Sequence, residues 1–156
     1  MMGYQVSNLN LYQERKKVLG QIMTKLESER TETGLLHDVA AIVYGDRTDT
    51  ANITEQPTIW IMPVAHAVDL VSGHTAIHDF TFDFISMLID YDPDKGKDRV
   101  EDVSARVYDT LIKNRSQNNV IFDVRPLIYN PASEAMDNSN IYFASVQLAF
   151  RIQRRE

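Results

Sequence analysis

Two segments of the chain have apolar side chains spaced three and four residues apart, which is the spacing of one helical stripe. The first runs from about Leu11 to Arg30, and we expect Asn8 or Asn10 to cap it. Within it, Gly20 costs helix stability unless it permits close packing against a sheet. The second begins at Asp98, where Asp98 and Glu101 resemble a capping box, and ends near Asn114. The pattern therefore predicts two amphipathic helices.

Other segments have the short period or the continuous apolar run of β-strands. The clearest alternation places Phe80, Phe82 and Phe84 on one side of a strand, with a bulge expected near Ser86 and Trp60 packed near the phenylalanines. Prolines predict an edge or bulge at the ends of two strands, because proline cannot donate to a ladder. The predicted strands are Leu36–Tyr44, Thr58–Val64, Ile77–Asp90, Val120–Tyr129 and Ile141–Arg151, with loops over Gly45–Gln56, Ala65–Thr75 and Asn130–Asn140.

The resulting order is α-β-β-β-α-β-β. Consecutive strands with only two helices indicate an α+β fold, a mostly antiparallel sheet with both helices packed on one face. The length of 156 residues suits a single domain over 1–156, with an N-terminal arm at 1–9 and a short C-terminal tail at 152–156.

Composition excludes several classes of function. The chain has no cysteine, so it has no disulfide and no thiolate metal ligand or nucleophile. Sixteen Lys and Arg against 22 Asp and Glu give a net charge of −6, which argues against a non-specific nucleic-acid binder. No apolar stretch is long enough for a membrane span, and Met1–Gln5 lacks the pattern of a signal peptide.

Candidate chemistry is sparse. His66, His74 and His78, with Asp69 between them, form the one histidine cluster, but their spacing matches no helical zinc motif, and a solvated hairpin explains them better. An aspartate-rich turn at 90–98 lacks the glycine and the distal glutamate of a calcium loop. Neither phosphate-loop glycines nor a nucleophile motif is present, so we expect no enzyme activity, no catalytic residue, no metal and no cofactor.

Charge is distributed unevenly along the chain. Thr48 to Asp94 contains no Lys or Arg but eight acidic residues, which predicts a negative, strand-rich surface. Basic residues concentrate towards the two ends of the chain. Opposite charges on different parts of one subunit suit head-to-tail contacts between identical copies. The candidate contact residues are Arg15, Lys16, Asp46, Arg47, Asp49, Arg151, Arg154 and Arg155.

The order of elements resembles the tail terminator, or tail completion, proteins of long-tailed bacteriophages and related tailed viruses. The matching parts are the Asn10–Arg30 helix, the Thr58–Val64 and Ile77–Asp90 strands, the Asp98–Asn114 helix and the two C-terminal strands. The resemblance covers most of the chain and rests on element order, size and the closing strand pattern.

The resemblance implies a virion protein of the neck or upper tail that assembles in the host cytoplasm. Copies would form a ring, expected to be a hexamer, that caps the head-proximal end of the tail tube, stops its polymerisation and joins it to the head connector. Genomic DNA would pass through without specific binding. Like charge keeps phosphates from adhering, so we expect some of Asp69, Asp79 and Asp83 to line or approach the lumen.

Three alternatives stay open at the level of sequence. Another neck component, such as a head-closure or connector protein, has similar features. A small metal-dependent α+β enzyme would use the histidines and nearby aspartates. An oligomeric adaptor unrelated to viruses would need the same surfaces.

Overall fold

The computed structural model describes residues 10–45, 53–113, 121, 123–134 and 140–155. The predicted arm at 1–9 lies outside them. Within this part of the chain, helix α1 spans Leu11–Ser28 and helix α2 spans Pro93–Ile112. Asn10 caps α1 through a reciprocal pair of hydrogen bonds with Gln13. The prediction of a cap at Asn10 is confirmed.

The strands are β1 (Ala41–Tyr44), β2 (Thr58–Ser72), β3 (Thr75–Ile89), β4 (Asp123–Glu134) and β5 (Ile141–Arg155). They form one sheet in the order β1-β2-β3-β5-β4, in which β1 and β2 are parallel and every other pair is antiparallel. The predicted element order and the predicted α+β class are both confirmed.

Both helices pack on the same face of the sheet. Val18, Ile22 and Leu26 from α1 share one buried cluster with Val103, Val107 and Leu111 from α2. The phenylalanine stripe Phe80, Phe82 and Phe84 supplies the centre of that cluster. Burial of these side chains is the main favourable term for folding, at about 25 cal/mol per Å² of apolar surface. The opposite face of the sheet carries no helix among the described residues.

The hairpin formed by β2 and β3 is longer than the sequence predicted. The sequence places residues 65–72 in a loop, but the structure places them in β2, where they pair with β3 up to Ser72 opposite Thr75. Pro63 lies beside a bulge rather than at the end of the strand. The bulge predicted near Ser86 is wrong, because β3 pairs without a break with β2 from Met87 to Phe82 and with β5 from Ile89 to Thr75.

Three other boundaries differ from the prediction. Helix α2 begins at Pro93, five residues before Asp98, because Asp92 accepts hydrogen bonds from the amides of Asp94 and Lys95. Residues 152–155, predicted as a tail, continue β5 as far as Arg155 opposite Thr75. Strand β4 extends to Glu134, into the predicted loop, with a bulge after Pro126.

Candidate functional site: a helix-free sheet face and two open sheet edges

The three aspartates predicted to face a lumen lie on one face of the sheet, and it is the face without helices. In β3, Asp79 and Asp83 alternate with the buried Phe80, Phe82 and Phe84. Asp69 in β2 is opposite Ile77, which also alternates with those phenylalanines. The register of one hairpin therefore brings residues 69, 79 and 83 to a common surface.

Basic residues share this surface and partly neutralise it. Arg151 in β5 lies opposite Asp79, and its Nε donates to Asp79 Oδ1 at 2.8 Å. This hydrogen bond, which Arg151 donates to the Asp79 carboxylate, raises the pKa of Arg151. Arg125 and Arg155 lie on the same face by register. The face is thus mixed in charge, and Arg151, predicted as a contact residue, is engaged within its own subunit.

Asp83 is the aspartate whose charge is least compensated. Desolvation by burial raises the pKa of its carboxyl, and a hydrogen bond with Ser145 only partly offsets this. Its Oδ1 has no hydrogen-bond partner among the described residues. Its neighbours across the sheet are Met62 and Gln147, neither of which carries charge. A carboxylate in this position weakens the fold when ionised.

The β2–β3 hairpin presents an open backbone edge. Strand β1 covers β2 only as far as Ile61, whose carbonyl accepts from the Gly45 amide. From Met62 to Ser72 no described strand pairs with the outer side of β2, and we call this segment the β2 edge. It carries exposed apolar side chains at Val64, Val68, Leu70 and Val71. Exposed edges of this kind are templates for pairing with another strand.

The opposite side of the sheet ends in a second open edge. Strand β4 pairs with β5 on its inner side only, among the residues that the structure places. Near its end, the Glu101 carboxylate accepts from the Ala132 amide, which closes that part of the edge. The segment Val124–Tyr129, which we call the β4 edge, has no described strand on its outer side. Within it, the Val124 amide donates to Asp123 Oδ1, and Pro126 has no amide hydrogen. The β4 edge exposes Leu127, Ile128 and Tyr129.

Two of the candidate histidines meet. His66 Nε2 lies 2.7 Å from His78 Nδ1, and the His66 ring stacks on Phe80 with centroids 4.3 Å apart. His78 is 1% exposed. His74 lies in the turn at the hairpin tip, next to Thr75. Sequence spacing missed this pair, because it depends on the register of a hairpin that the sequence predicted to be shorter. No group of three metal-ligating side chains occurs within the described ranges.

The other predicted contact residues are dispersed. Lys16 is exposed on α1, and both Arg15 and Lys16 lie over the Tyr12 ring, at 5.6 and 5.4 Å from its centroid. Arg154 and Arg155 point to opposite faces at the end of β5. Asp46, Arg47 and Asp49 lie outside the described residues. None of the helices that are described is long and apolar enough to cross a membrane.

Comparison with known proteins finds likeness in structure but none in sequence. No family model matches the chain, and no curated protein matches it. Among solved structures, it is similar to a chain in a structure titled "Virion of native gene transfer agent (GTA) particle", with 14% identity and a TM-score of 0.48. The alignment covers 85% of this chain and 91% of the other.

Proposed function

We propose that the chain is a structural virion protein that forms a ring on the head-proximal end of a phage-type tail tube. The ring stops polymerisation of the tube and provides a surface for the head connector. The chain works by binding copies of itself and neighbouring rings, and it transforms no substrate. The element order, which resembles that of tail terminators, motivates this proposal. The difference between the two faces of the sheet, of which one is covered by helices, supports it.

The observation that carries the proposal is the separation of the two sheet faces. Helices and core occupy one face, while Asp69, Asp79 and Asp83 occupy the other. In a ring around DNA, this division allows the helix-free face to line the channel while the helices lie outside. Because Asp79 is paired with Arg151, the repulsion of phosphate rests mainly on Asp83, while Asp69 lies on the same face at the edge of the sheet.

The environment of Asp83, whose burial is only partly offset by the hydrogen bond with Ser145, supports the same proposal. Burial raises the pKa of Asp83, so ionisation there is costly to the folded subunit. A residue that reduces stability in its normal charge state is typical of a functional position. Repulsion of the DNA backbone in the channel is the role that this position offers.

The test uses a purified phage-type tail tube protein. Tubes are grown in vitro with and without the purified chain, and their lengths and ends are recorded by electron microscopy. We expect shorter tubes with a ring at one end only. Tubes of unchanged length without added density at their ends would contradict the cap, and density along the whole tube would indicate a different neck or tail component.

A further inference from the structure

We propose that neighbouring copies join edge to edge, with the β4 edge of one subunit pairing antiparallel to the β2 edge of the next. The occupant of each open edge is therefore a second copy of this chain. The inference deepens the proposed function, because it rests on the ring and specifies the contact that builds it.

Strand directions favour this contact. Strand β2 is antiparallel to β3, β3 to β5, and β5 to β4, so β2 and β4 run in opposite directions at opposite sides of one sheet. When head-to-tail copies keep a common orientation, β4 of one subunit lies antiparallel beside β2 of its neighbour. The sheet then continues from subunit to subunit, and the helix-free faces form one surface.

Backbone geometry leaves donors on the β2 edge. Ile89 donates to Thr54 on the β2 side of β3, whereas Asp90 donates to Asn140 on the β5 side. Backbone N–H groups of successive residues point to opposite sides of a strand. The even-numbered residues of β3, including His78, therefore direct their N–H groups towards β5. Val68 lies opposite His78, so its own amide points outward. The backbone carbonyl of a strand added at this edge can accept a hydrogen bond from the Val68 amide.

Side chains on the two edges are complementary. Both edges expose large apolar residues, with Leu70 at 71% and Leu127 at 51% exposure. The β2 edge carries one acidic residue, Asp69, and no Lys or Arg. The β4 edge carries one charged residue, Arg125. Asp69 and Arg125 both lie on the helix-free face, so pairing of the edges brings opposite charges to the same side of the joined sheet.

The experiment measures ring assembly by mass photometry in solution and by electron microscopy on tube ends. Val68→Pro removes the outward amide, and Val68→Thr keeps it in a side chain of similar shape. Leu70→Lys adds charge to the edge, while Tyr91→Lys changes an equally exposed residue away from both edges. We expect Val68→Pro and Leu70→Lys to lose the ring, and both control variants to keep it.

A charge exchange provides a second readout that does not depend on the proline variant folding. Asp69→Arg and Arg125→Asp should each raise the subunit concentration needed for assembly by about threefold or more, and the double exchange should restore it. Circular dichroism checks that each variant is folded.

The outcomes separate the two proposals. If wild-type rings form but the edge variants assemble equally well, the edge contact is wrong and the ring proposal survives. If the variants keep the ring but lose the tube, the β2 edge serves the tube protein, which also overturns the contact. If the wild type forms no ring in solution or on tubes, both proposals fail.

Discussion

At the scale of single residues, two helical glycines have opposite environments. The sequence suggests that Gly20 permits close packing, but an added Cβ there has no atom within 4 Å, so that interpretation is wrong. Gly96, in the first turn of α2, is the position that has no room for a side chain. A Cβ at Gly96 would overlap the ring of Tyr142, which is fully buried. Helical periodicity cannot distinguish the two, because the difference lies in what packs on each helix.

Replacing the two glycines with alanine should therefore have effects of opposite sign. Gly96→Ala should lower the free energy of unfolding by about 1–3 kcal/mol, because the Tyr142 ring is displaced. Gly20→Ala should raise it by up to about 1 kcal/mol through helix propensity. Urea unfolding followed by circular dichroism measures both. A stabilising Gly96→Ala would show that the contact with Tyr142 is misassigned.

Asp83 predicts a pH-dependent difference in stability. Burial raises the pKa of Asp83 in the folded state above its ordinary value of 3.8. The favourable contribution of the protonated form is therefore complete below pH 3.8 and is lost as pH rises through the folded pKa. Asp83→Asn should be more stable than the wild type at pH 7, and the gap should narrow towards pH 3.8. Denaturation curves of both proteins measure this difference at each pH. A difference in the free energy of unfolding that stayed the same across this range would refute the raised pKa of Asp83.

At the scale of elements, the connection from α1 to β1 departs most clearly from the predicted strand over Leu36–Tyr44. Strand structure covers only Ala41–Tyr44. The segment before it is fixed by hydrogen bonds from two arginines. Arg106 on α2 donates to the Leu35 carbonyl and forms a bidentate pair with Asp38. Arg30 donates to the carbonyls of Val39 and Ala40. Apolar runs cannot reveal these bonds, since the partners lie up to 71 residues apart.

Removing the Arg106 guanidinium should destabilise the subunit. Arg106→Met keeps the aliphatic stem but leaves the Leu35 carbonyl and Asp38 without their donor, at a cost of about 1–3 kcal/mol. Asp102→Ala, which removes the more exposed partner of Arg106, should cost less than about 0.5 kcal/mol. Thermal unfolding compares the two variants. Equal losses of stability in the two variants would mean that the contact of Arg106 with Asp38 contributes no more than its contact with Asp102.

The Asp38–Arg106 pair should also respond to acid. The hydrogen bond from Arg106 lowers the pKa of Asp38 below 3.8. The contribution of the Asp38–Arg106 pair to stability is fully present above pH 3.8. It is lost as the pH falls through the lower pKa that Asp38 has in the folded state. Asp38→Asn should therefore lose stability relative to the wild type at pH 7, with the difference shrinking below pH 3.8 in guanidinium titrations. A difference that persisted at low pH would contradict the electrostatic origin.

At the scale of the whole molecule, the sequence predicts the fold class and element order, but not the register that assembles the surfaces. Alternation in β3 identifies the face shared by Asp79 and Asp83. The pairing of Asp79 with Arg151 and the contact of His66 with His78 arise only when distant strands align. The sequence does not predict the full length of β2 either, because Pro63 indicates the end of a strand, whereas β2 continues past it through a bulge.

The central claim is that copies of this chain close into a ring whose helix-free sheet faces line the channel. Cryo-electron microscopy of the assembled ring tests it most directly. We expect a closed ring with α1 and α2 on the outside and with Asp69 and Asp83 lining the hole. A ring whose channel is lined by the helices, or an assembly without a central channel, would contradict it.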